Sequence, residues 1–428
     1  MDQLQLKNLK YGLFLTRRFL PVFLATFLGA LNDNLLRSGL VILVAYSASK
    51  GMVLPAKPEI IVTVSSALLM IPIIVFSSLA GSLADKYEKS RLVVFMKLAE
   101  IGIMAGAFYA FSTDNIMLLM CLLFLSGTHT CFYSPIKFSI LPDHLNNKEL
   151  LAGNGFMAGG SYLAILSGLI AGGLLVEYPG NIIGYTAVAI SVTGFIASLF
   201  IPASAIGNPN TRISFNLWRG TKDIVHHATR DRTIYHSIFA ISWFLLIASV
   251  FMSQFANYAQ AVVHANNQVY ILFLTVFSLG IIIGSLLCDT LLAGEISLKL
   301  TPFAAFGISL FTCLMVMTTP IPHHEGLLDA EAFLAIPQHW QVLGCMLMVA
   351  VCGGVYIVPL YAVLQANTPA EYRSRIMAAS NLNDAVLLTI TAIACAGLLS
   401  IGFGILDLFI FVSALNIWIV WYARRHYS

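Results

Sequence analysis

Asp33 and Arg37 stand four residues apart in Gly29-Ala-Leu-Asn-Asp33-Asn-Leu-Leu-Arg37, inside a stretch that is otherwise apolar over 18–46. A carboxylate there can hold an ammonium group or take up a proton, and a guanidinium can grip a phosphate through paired hydrogen bonds. Charge at bilayer depth costs about 3 kcal/mol even on lenient insertion scales, so it is kept chiefly where it faces a protein interior, a watery cavity or a substrate. The plainer reading of Asp33 and Arg37 is an internal ion pair that fixes its helix.

Other polar groups in apolar surroundings extend the candidate substrate site. Asn34 neighbours Asp33. His129, Tyr133 and Lys137 fall on the fourth apolar segment, where His129 is either a hydrogen-bonded cavity histidine or a proton carrier. Lys137 either snorkels to the interface or meets a phosphate. Lys97 and Glu100, at i,i+3, make an intramembrane ion pair in which each charge neutralises the other. Later in the chain Gln254, Asn257 and Tyr258 cluster at i,i+3,i+4, Tyr356, Tyr361 and Gln365 offer similar groups, and Asn381 shares a face with Asp384.

Membrane-spanning helices must position these residues. Hydrophobic residues form 58% of the 428-residue chain and charged ones 10%, with a mean hydropathy of +0.85; this is the composition of a polytopic membrane protein. Spans of roughly 20 residues can be marked near 18–46, 59–83, 91–112, 115–141, 151–176 and 182–202, then near 234–258, 268–293, 299–319, 341–366, 376–400 and 402–422. Continuous apolar runs without two-residue alternation make these helices and argue against a barrel. The fold class is an all-α membrane protein with twelve transmembrane helices in two six-helix halves, 1–203 and 234–428, joined by a cytoplasmic linker at 204–233.

Basic residues set the orientation. With the N-terminus inside, the inner side holds Lys7, Lys10, Arg17, Arg18, Lys86, Lys89, Arg91, Lys148, Arg212, Arg219, Lys222, Arg230, Arg232, Lys299, Arg373, Arg375, Arg424 and Arg425. The outer loops carry only Lys50 and Lys57, and the longest has Glu325, Asp329 and Glu331 with no basic residue. Both termini are then cytoplasmic. The net charge of +3 is a topology signal, with no basic cluster interleaved with aromatics for nucleic acid. No cleavable signal peptide is visible. The seven cysteines fall within predicted helices without metal-like spacing and read as small apolar core residues. His226-His227 and His323-His324 lack further ligands, so no metal and no cofactor is expected. No catalytic constellation marks an enzyme.

A weak internal echo links the halves: Tyr133-Ser-Pro135 and Tyr356-Ile-Val-Pro359, each followed by a polar turn and a helix bearing Asn154 or Asn381. Between the second and third spans, Gly81-Ser-Leu-Ala-Asp85-Lys86-Tyr-Glu-Lys89-Ser-Arg91 resembles the signature loop of the major facilitator superfamily. The small Gly lets backbones approach, and the Asp can cap or pair with a neighbouring helix end. That resemblance implies a conformational latch of Gly81, Asp85, Lys86 and Arg91 that holds the outward-facing state. The matching loop of the second half, Gly284-Ser-Leu-Leu-Cys-Asp289, is degenerate.

A narrower resemblance follows from Phe27-Leu-Gly-Ala-Leu-Asn32-Asp33-Asn34 and Tyr133-Ser-Pro135-Ile-Lys137-Phe-Ser-Ile-Leu-Pro142 with Asn154-Gly155. These look like the bacterial lysophospholipid transporters. Ser242-Trp243-Phe and Ser253-Gln254-Phe-Ala-Asn257-Tyr258 are similar to the transporter domain that some bacteria fuse to a lysophospholipid acyltransferase. The resemblance implies facilitated movement of lysophospholipid from the outer to the inner leaflet of the inner membrane, by alternating access. Re-acylation inside would fall to a separate cytoplasmic acyltransferase. It implies no need of ATP, and no Gly-rich phosphate loop is present. One departure is that 233–258 contains no Lys or Arg, where some members are expected to place a cation for the phosphate.

Buried charge is concentrated in the first half. A headgroup against that half and an acyl chain along the apolar second half would suit an amphiphile such as lysophosphatidylethanolamine better than a sugar. The competing reading is a proton-coupled carrier of another amphiphile, a siderophore or drug, with Asp33, Glu100 and His129 serving the proton. Membrane lipids are the surroundings, and a monomer is the superfamily default.

Overall fold

The computed structural model describes residues 12–45, 57–176, 178, 181–211, 213, 216–320 and 326–426. Lys7, Lys10, Lys50, Arg212, His323, His324 and Glu325 lie outside the described residues, and of Arg424, Arg425 and His426 only the backbone is described.

Side chains facing lipid offer the backbone no partners, so each apolar run closes its own i to i−4 ladder. The helices are α1 Leu20–Ala45, α2 Pro58–Lys86, α3 Lys89–Ser112, α4 Ile116–Ser139, α5 Leu141–His144, α6 Asn147–Leu175, α7 Ile182–Ser198, α8 Leu217–Arg230, α9 Arg232–Asn257, α10 Asn267–Leu291, α11 Thr301–Thr318, α12 Ala330–Ala335, α13 Pro337–Asn367, α14 Arg373–Ser400 and α15 Ile405–His426. Their starts carry recognisable signals. Pro58 opens α2, where its missing N–H has no consequence. Asn115 caps α4 by accepting from Leu118 N at 3.0 Å, and Asn216 caps α8 through Arg219 N at 3.1 Å. The only extended pairing among the described residues is an isolated bridge between Ala265 and Leu328.

Ten of these helices are long and apolar enough to cross a membrane, and two more, Ile182–Ser198 and Ile405–Trp421, are apolar but shorter. The protein is an all-α, multi-pass membrane protein. Within the polar connector the chain also forms α8, whose Ile224 and Ala228 are buried and which packs on α2. Of the seven free cysteines only Cys131 and Cys288 are buried and Cys121 is exposed, so an apolar position on a membrane helix here does not mean a core position. Lipid accepts such a side chain as readily as a core does.

The described residues gather into two compact units. The first draws on Met1–Asn147, Ala164–Tyr235 and Gln365–Ala385. In it α2 packs on α4, α3 on α7 and α4, and α1 on α7 and α4. Gly168 and Gly172 of α6 lie against the backbone carbonyls of Leu31 and Leu35, where any Cβ would collide, the close approach small residues permit in membranes. This unit also holds a buried apolar cluster of Leu35, Leu36 and Leu40 with Met104, Leu119, Leu123 and Ile183.

The second unit comprises Lys148–Leu163, His236–Leu364 and Val386–Ser428. Here α11 packs on α15. Trp243 donates to Asn416 Oδ1 at 3.0 Å, and Asn416 donates to the Ala305 carbonyl at 2.7 Å. Phe251 stacks on Phe409 with centroids 4.7 Å apart.

Candidate functional site

The polar core of the first unit is assembled by α1, α3, α4 and α7. Ser126, His129, Thr130 and Tyr133 recur at i,i+3,i+4,i+7 along α4, so one face of an apolar helix carries four polar groups. Asp33 of α1 meets that face: Oδ1 accepts from Ser126 Oγ at 2.5 Å, and Oδ2 accepts from Thr130 Oγ1 at 2.8 Å. Arg37, one turn along, is exposed and donates to Ser66 Oγ of α2 at 3.2 Å, so the two charges face different neighbours. Asn34 donates to the Ala30 carbonyl within its own helix at 2.8 Å.

Lys97 and Glu100 of α3 join the same core. Lys97 Nζ lies 2.6 Å from Glu100 Oε2, with side chains 0% and 2% exposed. Asn32 Nδ2 donates to Glu100 Oε1 at 3.3 Å and to the Ala187 carbonyl of α7 at 3.0 Å, while buried Asn32 Oδ1 has no hydrogen-bond partner among the described residues. Lys97 Nζ also sits over the Tyr133 ring, 5.1 Å from its centroid, and Tyr133 shares a 2.9 Å hydrogen bond with Thr26. Space for the ammonium comes from Gly29, where an added Cβ would stand 2.6 Å from Nζ and 3.5 Å from Glu100 Oε2.

His129 lies beside Glu100. Its Nε2 lies 3.1 Å from the Met96 carbonyl and 3.9 Å from Glu100 Oε2, and its ring stacks on Tyr133 at 5.9 Å between centroids. A carbonyl oxygen only accepts, so Nε2 carries the hydrogen. One turn beyond Tyr133, the Lys137 ammonium lies over the Phe138 ring at 4.8 Å and within electrostatic reach of Asp33 and Asp384. It makes no ion pair or hydrogen bond among the described residues. Asp384 and Asn381 lie on α14 in this unit, and buried Asn381 Nδ2 has no hydrogen-bond partner among the described residues.

Gln254, Asn257, Tyr258, Tyr356 and Tyr361 belong to the second unit, while Gln365 falls in the first. Asn257 Nδ2 donates to Gln254 Oε1 at 3.1 Å, and the neighbouring Tyr258 hydroxyl bonds to Thr319 Oγ1 at 2.7 Å. Tyr356 is buried beside Phe244, ring centroids 6.1 Å apart, and Tyr361 is partly buried five residues later on α13. Asn32, Thr26, Ser126 and Thr130 were absent from the sequence-level site. The helical recurrence of polar residues on α4 is the signal that finds two of them.

The loop read as a latch is built around Asp85. Its side chain is buried at the end of α2, and it accepts from Ser374 N at 2.8 Å, Arg375 N at 3.3 Å and Arg375 Nε at 3.0 Å. A carboxylate on the first amides of α14 satisfies orphan donors and meets the positive helix end. Gly81 allows the approach, since a Cβ there would stand 2.9 Å from Arg375 Cα. Lys86 lies over the Tyr87 ring, and Arg91 is 87% exposed and pairs with Glu88 at 2.7 Å; neither touches Asp85. The buried cation of this loop is Lys89, 2.8 Å from Asp143 Oδ2, and Asp143 Oδ1 also holds Arg373 at 3.2 Å. A third link runs from Ser374 Oγ to Ser139 Oγ at 3.0 Å. The second carboxylate and the α14 arginines were missed because they read from sequence only as charges flanking spans.

Among the described residues no group of three or more His, Cys, Asp or Glu side chains is placed to hold a metal ion.

Comparison with known proteins agrees with this architecture. The Major Facilitator Superfamily model matches residues 22–392. The lysophospholipid transporter LplT of Escherichia coli O139:H28 is 25% identical over 368 residues, 82% of this chain and 84% of that protein. Its counterpart in Shigella boydii serotype 4 is 25% identical over 370 residues with the same coverage. Among solved structures, the human organic anion transporter MFSD10 superposes with a TM-score of 0.74 at 12% identity, covering 95% of this chain and 98% of that one. The E. coli fucose:proton symporter FucP gives 0.69 at 12% identity, covering 96% and 98%. With the superfamily model matched over most of its length and transporters as its relatives, the chain belongs to the major facilitator superfamily and is a membrane transporter, not an enzyme.

Proposed function

We propose that this protein moves lysophospholipids of the lysophosphatidylethanolamine kind across the bacterial inner membrane by alternating access, so that a separate cytoplasmic acyltransferase can re-acylate them. One observation carries the reading: the Lys137 ammonium, without an ion pair among the described residues, stands within electrostatic reach of the Asp33 carboxylate. A phosphate would answer Lys137 and an ammonium would answer Asp33, which together describe a zwitterionic headgroup. Lys137 on α4 supplies the cation that 233–258 lacks. The lysophospholipid transporters among its sequence relatives agree with this reading.

In this reading all twelve apolar helices span, in halves 1–203 and 234–428 with a linker at 204–233 and both termini cytoplasmic. The 17 residues of α7 rise about 26 Å, close to a hydrocarbon core of about 30 Å. The Asp85 and Asp143 contacts with α14 serve as the latch that opens once per cycle, and the unit of transport is the monomer.

The test is uptake of labelled lysophosphatidylethanolamine into proteoliposomes. Wild type should carry it, and Asp33→Ala, folded by size-exclusion and circular dichroism, should not. Full activity in that variant overturns the assignment.

A further inference from the structure

Helix α8 of the connector has two faces of different character. Gly220, Ile224 and Ala228 recur at i,i+4,i+8 and form the inner one. An added Cβ at Gly220 would stand 2.8 Å from Ser78 Oγ of α2, and Ile224 and Ala228 are buried. Asp223, the only acidic residue of the helix, is directed to Arg375 of α14 at 3.5 Å, the arginine that also holds Asp85. His227 lies beside the Tyr372 ring, 5.6 Å between centroids.

Trp218 and Lys222 stand two residues from Gly220 and Ile224, about 200° round the helix and so on its outer face. Trp218 is 72% exposed and Val225 44%, and Arg219, Lys222 and Arg230 are exposed with them. The Lys222 ammonium lies over the Trp218 ring at 5.6 Å. None of the three cations makes an ion pair among the described residues. The depth of this face follows from α2. Ser78, which Gly220 meets, lies eight residues before Lys86 at the end of that helix, about 12 Å in from it. From there α8 runs toward the Asp85 end, where Asp223 and His227 make their contacts. Trp218 therefore sits alongside a spanning helix, more than two turns in from its end, where tryptophan marks the boundary between headgroups and acyl chains.

We propose that the outer face of α8 seats an anionic membrane lipid of the phosphatidylglycerol kind, with Arg219 and Lys222 on its phosphate and Trp218 against the upper part of its acyl chains. Arg219 and Lys222 share a face at i,i+3, and their long stems carry the charges out to headgroup level. A basic helix with a tryptophan among its apolar residues lies in the interface and is drawn to anionic lipid. A zwitterionic lipid brings its own cation beside its phosphate; an anionic one does not, so these cations favour the second. A soluble acidic partner would have to enter the bilayer to reach Trp218. The site stands apart from the polar core and does not depend on which lipid that core carries.

The test places the whole protein in nanodiscs of phosphatidylcholine in which a minor share of the lipid is either dibrominated phosphatidylglycerol or dibrominated phosphatidylcholine. Bromine on the acyl chains quenches a tryptophan it touches, and the difference between wild type and Trp218→Phe isolates Trp218 from Trp243, Trp340, Trp418 and Trp421. Trp218 should be quenched by both lipids, and by phosphatidylglycerol to the extent of about a fivefold local enrichment for each cation engaged. In an Arg219→Gln, Lys222→Gln background the same difference should show equal quenching by the two. No quenching of Trp218 by either lipid removes α8 from the bilayer and overturns the proposal. Equal quenching in the wild type overturns the anionic preference, and a preference that survives the double substitution overturns the assignment to Arg219 and Lys222. All three side chains are exposed, so these variants leave the packed face of α8 intact.

Discussion

Replacing Lys97 by Met should destabilise the protein by about 3–5 kcal/mol and Glu100→Gln by a similar amount, while the double variant loses less than either alone. The two side chains are 0% and 2% exposed and meet at 2.6 Å. At that separation the attraction is ~6 kcal/mol for an effective dielectric near 20. Removing two ions from water costs several kcal/mol apiece, so the pair as a unit contributes little net stability. One charge left alone keeps its desolvation cost and loses the attraction. A lone Glu100 would still have Asn32 Nδ2 at 3.3 Å, and a lone Lys97 would have the Tyr133 ring at 5.1 Å; contacts of this kind return about 1 kcal/mol. The assay is reversible unfolding in mixed micelles by added dodecyl sulfate, followed by tryptophan fluorescence, for wild type, both single variants and the double. Single losses below about 1 kcal/mol, or a double loss equal to the sum of the singles, would refute the reasoning.

Further outcomes follow from the same contacts. Gly29→Ala should cost clearly less than Lys97→Met in that assay, since the new Cβ would stand 2.6 Å from Nζ, the far end of a flexible side chain that can shift while keeping its charge. Asp85→Asn should speed amide hydrogen exchange at Ser374 and Arg375 by about 10- to 100-fold, because hydrogen bonds to a charged group contribute roughly 1.5–3 kcal/mol; Asp143→Asn should leave those amides protected, as it holds Lys89 and Arg373 instead. Lys137→Gln should raise the half-saturating lysophosphatidylethanolamine concentration at least tenfold in proteoliposome uptake with an unchanged unfolding midpoint, and an unchanged concentration would remove Lys137 from the headgroup site.

Much of this protein was legible in its residue order. Composition and run lengths gave the membrane class, because a helix in lipid must satisfy its own backbone and needs about 20 apolar residues to do so. The cost of intramembrane charge singled out Asp33, Lys97, Glu100 and Lys137 before any coordinates. The spacing of Lys97 and Glu100 predicted their pairing, since i,i+3 neighbours share a helix face. Run lengths alone marked twelve spans, whereas ten helices meet the length and apolarity of a span and two fall short in length, because connectors at helix ends blur the boundary.

What sequence could not supply is which helix faces which. The tertiary structure brings Asp33 on α1 and the Lys97–Glu100 pair on α3 to the same polar face of α4, where Ser126 and Thr130 hold Asp33 and His129 lies beside Glu100, while Asn32 of α1 donates to Glu100. It also turns Arg373 and Arg375 from flanking positive charges into partners of Asp143 and Asp85, across more than two hundred residues of chain. Sequence spacing fixes contacts along one helix, where three or four residues bring side chains together. Contacts between helices depend on packing of small residues such as Gly29, Gly81 and Gly168, and no local pattern encodes the partner a glycine admits.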